Sequence, residues 1–178
     1  MPDTPETREP RKLRIWQQNI NHSLEGQLDL LHSLKSDRYD MVVIQERHID
    51  FMGHMRANLH WTVIYPRQHL SDPRKNRSVI LVNCDLYTNN WDDLNIMSYN
   101  MMGVRIHGTY GAICMLNIYN DCANNRSLAM VEEFMRRREE RVRVGSRRRE
   151  RVIWVATSIG ITRFGMKKEM DIYSQGQH

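Results

Sequence analysis

The stretch that most constrains this chain is Tyr39-Asp40-Met41-Val42-Val43-Ile44-Gln45-Glu46. A continuous apolar run between a polar lead-in and a carboxylate reads as a short strand covered on both faces, because a strand with one wet face would alternate. Such a strand has to lie inside a layered fold, and it delivers Glu46 at its C-terminal end. An acidic side chain there is placed to act on a ligand at the rim of a sheet. A solvated strand terminus explains Glu46 equally well from this stretch alone.

The segment upstream narrows the choice. Residues 12–19 alternate like a strand and end in the amide of Asn19. Ser23 is placed to cap a helix on which Leu24, Leu28, Leu31 and Leu34 share a face, with Asp37 and Arg38 ending it. Together these elements make a strand–helix–strand crossover with parallel strands, a connection that is right-handed in nearly all sheets. Asn19 and Glu46 then end neighbouring strands. An amide oxygen beside a carboxylate makes half of a magnesium site, since Mg²⁺ takes hard oxygen ligands and keeps several waters.

Downstream, residues 61–65, 78–82, 94–97, 103–107 and 112–118 read as successive strands, with Gly108 to Gly111 as a hairpin turn. The last strand brings Tyr119 and Asn120 to its end. A helix starts near Ser127, with Val131, Phe134 and Met135 facing inward and Glu132/Arg136, Glu133/Arg137 and Glu139/Arg143 paired outside. Its arginine-rich continuation, residues 136–151, reads as a solvated helix end, because glutamates offset many of the arginines; a basic DNA-contacting arm is the other reading. Residues 151–155 open one more buried strand. His48, Asp50 and His54 share the loop after Glu46, but their spacing fits no standard transition-metal site.

The whole chain sets outer limits. Its 178 residues suit one domain, and a 40% hydrophobic fraction argues against disorder. The apolar runs are too short to span a membrane, and the polar, proline-bearing residues 1–11 lack the apolar core of a signal peptide. Cys84, Cys114 and Cys122 are odd in number and lack metal spacing, which points to a reducing, intracellular setting, nucleus or cytoplasm. The net charge of +5 permits a nucleic-acid partner without demanding one.

Four segments in order carry a family resemblance: Leu13-Arg-Ile-Trp-Gln-Gln-Asn-Ile-Asn21, Asp40-Met-Val-Val-Ile-Gln-Glu46, Arg77-Ser-Val-Ile-Leu-Val-Asn83 and Leu116-Asn-Ile-Tyr-Asn120. They resemble the endonuclease/exonuclease/phosphatase family, most of all the apurinic-type endonuclease domains of fungal non-LTR (LINE-type) retrotransposons. The resemblance implies an α/β chain, the N-terminal part of a four-layered α/β/β/α sandwich (DNase I-like), truncated. It also implies hydrolysis of DNA phosphodiesters with Mg²⁺, or Mn²⁺ in its place. Glu46 matches the family's metal-binding glutamate, and Asn19 matches its first-strand asparagine, catalytic and near the metal. Asn21 stands where relatives often place an aspartate beside the metal. Tyr119 matches the tyrosine that contacts the scissile phosphate. Cys122 stands where the family often has an asparagine, unless Asn120 substitutes. Arg47 replaces a small residue, proline or threonine, and its long cation is expected to crowd the metal or partly neutralise Glu46.

The likeness stops after Val152-Ile153-Trp154. The family continues with Gly-Asp-x-Asn, a further aspartate and Ser-Asp-His, whereas this chain reads Val155-Ala-Thr-Ser-Ile-Gly-Ile-Thr-Arg-Phe-Gly-Met166. Joining the third base of each codon from Val155 to the first two of the next permits Gly-Asp-Phe-Asn-Arg-His-His-Pro-Leu-Trp-Asp-Glu-Glu. The first Glu is forced by Met166 followed by Lys167. The chain therefore divides into a disordered arm over 1–11, a partial domain over 12–155 and an out-of-frame tail over 156–178 in which no packed element is expected. The second sheet that covers the first is expected from the missing half, so six or so large apolar side chains stay uncovered, forgoing about 1.5–3 kcal/mol each, or about 10–18 kcal/mol together. The chain is expected to be poorly stable as a monomer, to aggregate or to seek a partner. A domain's net stability is only about 5–15 kcal/mol. Three functions remain in view: a truncated and inactive Mg²⁺-dependent endonuclease, a non-catalytic basic nucleic-acid-binding module, and a fragment with no role. The absent Gly-Asp-x-Asn separates the first from the others, and salt-sensitive DNA binding without nicking would favour the second; oligomeric state is left open.

Overall fold

The computed structural model describes residues 13–86, 88–108, 111–120, 126–143, 150–158 and 167–172. The arm over 1–11 and Cys122 lie outside the described residues. Strand β1 (Leu13–Asn19), helix α1 (Leu24–Ser33) and strand β2 (Met41–Gln45) form the expected crossover, with β1 and β2 parallel and Asn19 level with Gln45. The Ser23 hydroxyl accepts the Gly26 N–H and starts the helix. Its inner face differs from the expected one: Gln27, Leu30 and Leu34 are buried while Leu28 is exposed. Positions 27, 30, 31 and 34 make a tighter stripe at helical spacing than 24, 28, 31 and 34. The helix also ends at Ser33, before Asp37, because Leu34 turns extended. The Asp37 carbonyl and the Asp40 carboxylate then receive the Arg14 guanidinium and tie the start of β2 to β1.

Strands β3 (Trp61–Ile64), β4 (Ser78–Asn83), β5 (Trp91–Asp93), β6 (Met101–Gly108) and β7 (Gly111–Asn120) follow, then helix α2 (Arg126–Arg143) and strands β8 (Glu150–Ser158) and β9 (Lys167–Ile172). The first sheet has the order β3-β4-β2-β1-β9 and the second β5-β6-β7-β8. β5 lies earlier than the strand expected over 94–97. There Asn95 adopts φ 52° and its N–H bonds to the Asp93 carboxylate, which ends extended pairing. The expected hairpin is present: Gly108 pairs with Gly111, whose φ of 120° suits glycine alone.

The two sheets face one another, and this overturns the expected loss of apolar cover. Ile15, Met41, Val42, Val43, Ile44, Val79, Ile80 and Leu81 are all fully buried, in one cluster with Met102, Val104, Met115 and Val155 of the second sheet. The covering sheet comes from this chain itself. Leu30 and Leu34 of α1 join that cluster, while Met130, Val131 and Phe134 of α2 pack on Met101, Leu116 and Ile118. The layers therefore run α/β/β/α. Outside α2, Glu133 pairs with Arg137 as expected, but Arg136 bonds to Glu133 and Glu140 instead of Glu132. Arg138 turns inward to Glu150, which also holds Arg105, so this arginine is not part of a solvated face. β8 is only half covered, with Trp154 59% exposed. Residues 156–158 continue β8, and 167–172 pair antiparallel along β1 from Leu13↔Ile172 to Gln18↔Lys167, where the sequence shows no periodicity. β1 offers an open edge there, and backbone pairing needs no particular side chains. Among the described residues no helix is long and apolar enough to cross a membrane.

Candidate active site at the rim of the first sheet

Parallel pairing brings the C-terminal ends of β1 and β2 to one rim, and the turns beyond them interlock. Ile20 donates its N–H to the Gln45 carbonyl at 2.9 Å and His22 to the Glu46 carbonyl at 2.6 Å, while the Glu46 N–H bonds to the Arg77 carbonyl at 2.8 Å. Asn21, His22 and Glu46 have φ of 51°, 58° and 50°. A non-glycine residue in this left-handed region costs roughly 1–2 kcal/mol, so the surrounding bonds must hold it there. That strain falls on the carboxylate picked out by the sequence.

The Glu46 side chain meets groups from two other elements, and a third stands behind them. Tyr119, at the end of β7, donates its hydroxyl to Oε1 at 2.8 Å. His22 places Nε2 3.7 Å from the same oxygen. Arg77, just before β4, bonds to His22 Nε2, and its guanidinium carbon lies 6.0 Å from the centre of the Tyr119 ring. Because an arginine only donates, Nε2 accepts, and the His22 proton sits on Nδ1, which faces the Arg47 carbonyl at 3.3 Å. Tyr119 is fixed at both backbone ends: its N–H bonds to the Asn100 carbonyl at 2.7 Å and its carbonyl accepts the Ser127 hydroxyl at 2.9 Å. Beneath it a buried amide pair joins the sheets. Gln45 Nε2 donates to Asn117 Oδ1 at 3.0 Å, and Asn117 Nδ2 donates to the carbonyls of Ile44 and Val79 at 2.9 Å. Each such group left unpaired would cost about 1–3 kcal/mol, so the network fixes the height of Tyr119 against Glu46.

The remaining sequence candidates divide. Asn19 Oδ1 accepts the Asn21 N–H at 2.8 Å, closing an Asx turn, so this oxygen enters the site with one lone pair already used. Asn21 is exposed on the same turn. Asn120 Oδ1 is buried without a hydrogen-bond partner among the described residues. Glu46 and the Asn19 amide supply the hard-oxygen donors that Mg²⁺ takes, and a site with one carboxylate and several waters suits that ion. Among the described residues no group of three His, Cys, Asp or Glu side chains comes together for a metal. His48, Asp50 and His54 make none: the Asp50 carboxylate accepts the N–H groups of Met52 and His54 at 2.9 Å, and these bonds, the His54 one first, hold its pKa below the usual range.

Arg47 does not approach Glu46's ligands as its position suggested. It is 2% exposed and points back between two loops, bonding to the carbonyls of Asn76 and Pro73 and to His69 Nδ1. Burial lowers its pKa to about 10, still a cation at neutral pH. Burial, then Arg47 and His54, push His69 down to about 4. His22 and Arg77 are the site residues that sequence reasoning missed. The signal for Arg77 was its place one residue before a strand; what was missing was the antiparallel pairing, Gln45 with Ser78, that sets β4's start at the end of β2.

No family model and no curated protein matches the sequence. Solved structures do. The endonuclease domain of TRAS1, a telomere-specific non-LTR retrotransposon, aligns with a TM-score of 0.52 and 13% identity over 82% of this chain and 60% of that chain. A humanized D. rerio TDP2 gives 0.47 and 10% over 82% and 61%. An endonuclease/exonuclease/phosphatase family protein from Bacteroides thetaiotaomicron gives 0.48 and 11% over 84% and 64%. The fold is thus the DNase I-like α/β/β/α fold, that of the TRAS1 endonuclease domain. More particularly, it aligns with a retrotransposon endonuclease domain, of which this chain spans 60% of the length. Identity this low establishes the fold alone.

Proposed function

We propose that the chain carries the cation-binding and phosphate-contacting part of a DNA phosphodiesterase site of the retrotransposon-endonuclease kind. The convergence of Glu46, Asn19, His22, Arg77 and Tyr119 on one rim supports this reading. A carboxylate suits a cation, while an arginine and a phenol suit an anion. A phosphodiester accompanied by Mg²⁺, or Mn²⁺ in its place, satisfies both. Glu46 would hold the ion through its carboxylate, with Asn19 and Asn21 beside it. When bound, the ion polarises a phosphoryl oxygen and stabilises developing charge. Arg77 supplies a charge-assisted donor to a phosphate oxygen, and Tyr119 a hydroxyl already turned toward that position. Neither a base for the attacking water nor a donor for the leaving group is among these residues. In this chain the site is accordingly one that binds without cleaving, and residues 156–178 are read as out of frame with the missing groups.

A binding module without chemistry is the second reading. Arg77 and His22 favour it, since they offer an anion contacts that need no metal. Both readings share one test. Bound to short duplex DNA in EDTA, the chain is expected to show salt-sensitive affinity, and Arg77→Ala should reduce the slope of log K against log salt by about 0.9, the value for one phosphate contact. An unchanged slope and affinity would remove Arg77 from the site.

A further inference from the structure

The two loops flanking Arg47 are braced as one body. Besides the Arg47 bonds, Tyr65 stacks on His69 at 4.1 Å between ring centres, and its hydroxyl accepts the Met55 N–H at 2.9 Å. Gly53, at φ 85°, has no room for a side chain, because Pro73 ring carbons lie 2.7 Å from where a Cβ would stand. The turn 50–54 is closed by the two amides that Asp50's carboxylate accepts, by the Asp50 N–H bonding to the His54 carbonyl at 2.9 Å, and by the Gly53 N–H bonding to the Asp50 carbonyl at 3.1 Å. Yet the tip of this fastened turn presents apolar side chains to water. Phe51 is 96% exposed and Met52 64%, and Leu70 on the second loop is 91% exposed. Single exposed apolar residues are ordinary. An aromatic ring raised on a braced turn five residues after Glu46 is a different feature.

The surroundings are cationic. Arg56, Arg67, Arg74 and Lys75 are exposed on the same two loops. Their two carboxylates are engaged: Asp50 closes its turn, and Asp72 accepts the Arg74 N–H at 3.1 Å and pairs with Lys75 at 3.2 Å. A surface with three exposed arginines, a lysine paired to Asp72 and an exposed aromatic ring fits a ligand that is polyanionic and has flat π-faces. We infer that these loops form a stacking platform for an unpaired base of a nucleic-acid strand, with Phe51 as the stacking ring and the loop cations along the backbone. The inference rests on the nucleic-acid reading above and adds to it the form of substrate: a strand with an unstacked base in preference to a continuous duplex.

The test uses the full chain in EDTA with three probes: a short duplex, the same duplex carrying one unpaired 2-aminopurine, and the single strand. The wild-type chain should prefer the last two and quench the 2-aminopurine. Phe51→Ala should weaken binding to those two by about five- to 150-fold, the range for losing one stacked base, and leave the perfect duplex unchanged. Phe51→Trp should keep the preference. Arg67→Ala should weaken all three alike and lower the salt slope by about 0.9. Because Phe51 is almost wholly exposed, its removal takes nothing from the core, which an unchanged circular dichroism spectrum verifies. Wild-type affinity of Phe51→Ala for unpaired strands, with duplex binding intact, would overturn the platform alone. So would Phe51-dependent self-association in its place. Failure of the wild-type chain to bind any probe would overturn both readings.

Discussion

Supercoiled plasmid incubated with Mg²⁺ and this chain is expected to stay intact, and one added base after the Trp154 codon is expected to bring nicking back. The geometric reason lies in β8. It runs parallel to β7, with Tyr119 level with Thr157 and Asn120 level with Ser158, so its end reaches the rim that holds Tyr119 and Glu46. In the restored frame Gly-Asp-Phe-Asn occupies positions 156–159, and its aspartate falls at 157, across the ladder from Tyr119. A positioned acid–base group contributes about 10²–10⁴-fold and a charge stabiliser about 10²–10³-fold, so restoring both together should lift the rate from undetectable to measurable. Glu46→Gln in the restored chain should abolish nicking again. Nicking by the unrestored chain that survives Glu46→Gln would show that both the site and the out-of-frame tail are wrongly assigned.

Acid is expected to begin destabilising the fold below about pH 6.5, before the carboxylates titrate. His69 has its pKa pushed from 6.5 down to about 4 in the folded chain, mainly by burial. The unfolded chain therefore binds the extra proton first as pH falls. Stability from this residue is complete above pH 6.5 and drains away towards pH 4, by at most about 3 kcal/mol over the window and by less to the extent that solvent screens the ring. Urea unfolding at pH 7 and pH 4.5 should show the loss, and His69→Gln should flatten the difference between them. An equal drop in both proteins would mean that His69 is solvated and that the loop pair around Arg47 is not closed.

How much of this was legible in the sequence depended on whether local pattern or long-range pairing decided the outcome. The run Met41–Gln45 is fully buried as its composition required, and the crossover set Asn19 beside Gln45. The α1 face was misread because Leu28 looks equivalent to Leu30 in composition and differs only in angle around the helix. The first sheet was expected to lose its cover to a missing half, since no local pattern reveals that Met102 and Met115 join Val43 and Val79 in one core. Arg47's direction had the same cause: its partners Pro73 and Asn76 belong to a loop far along the chain. Tyr119 was found through a motif, whereas His22 and Arg77 became visible only once β4 was paired against β2.

The central claim is that Glu46 holds a divalent cation at this rim, and uptake of Mn²⁺ by the full chain tests it without relying on catalysis. Followed by loss of the free-ion electron paramagnetic resonance signal, the wild-type chain should take up Mn²⁺ that Mg²⁺ displaces. Glu46→Gln, which keeps an oxygen for the Tyr119 hydroxyl and so preserves the fold, should lose that uptake. Equal Mn²⁺ uptake by Glu46→Gln and the wild-type chain, or none by either, would contradict the account.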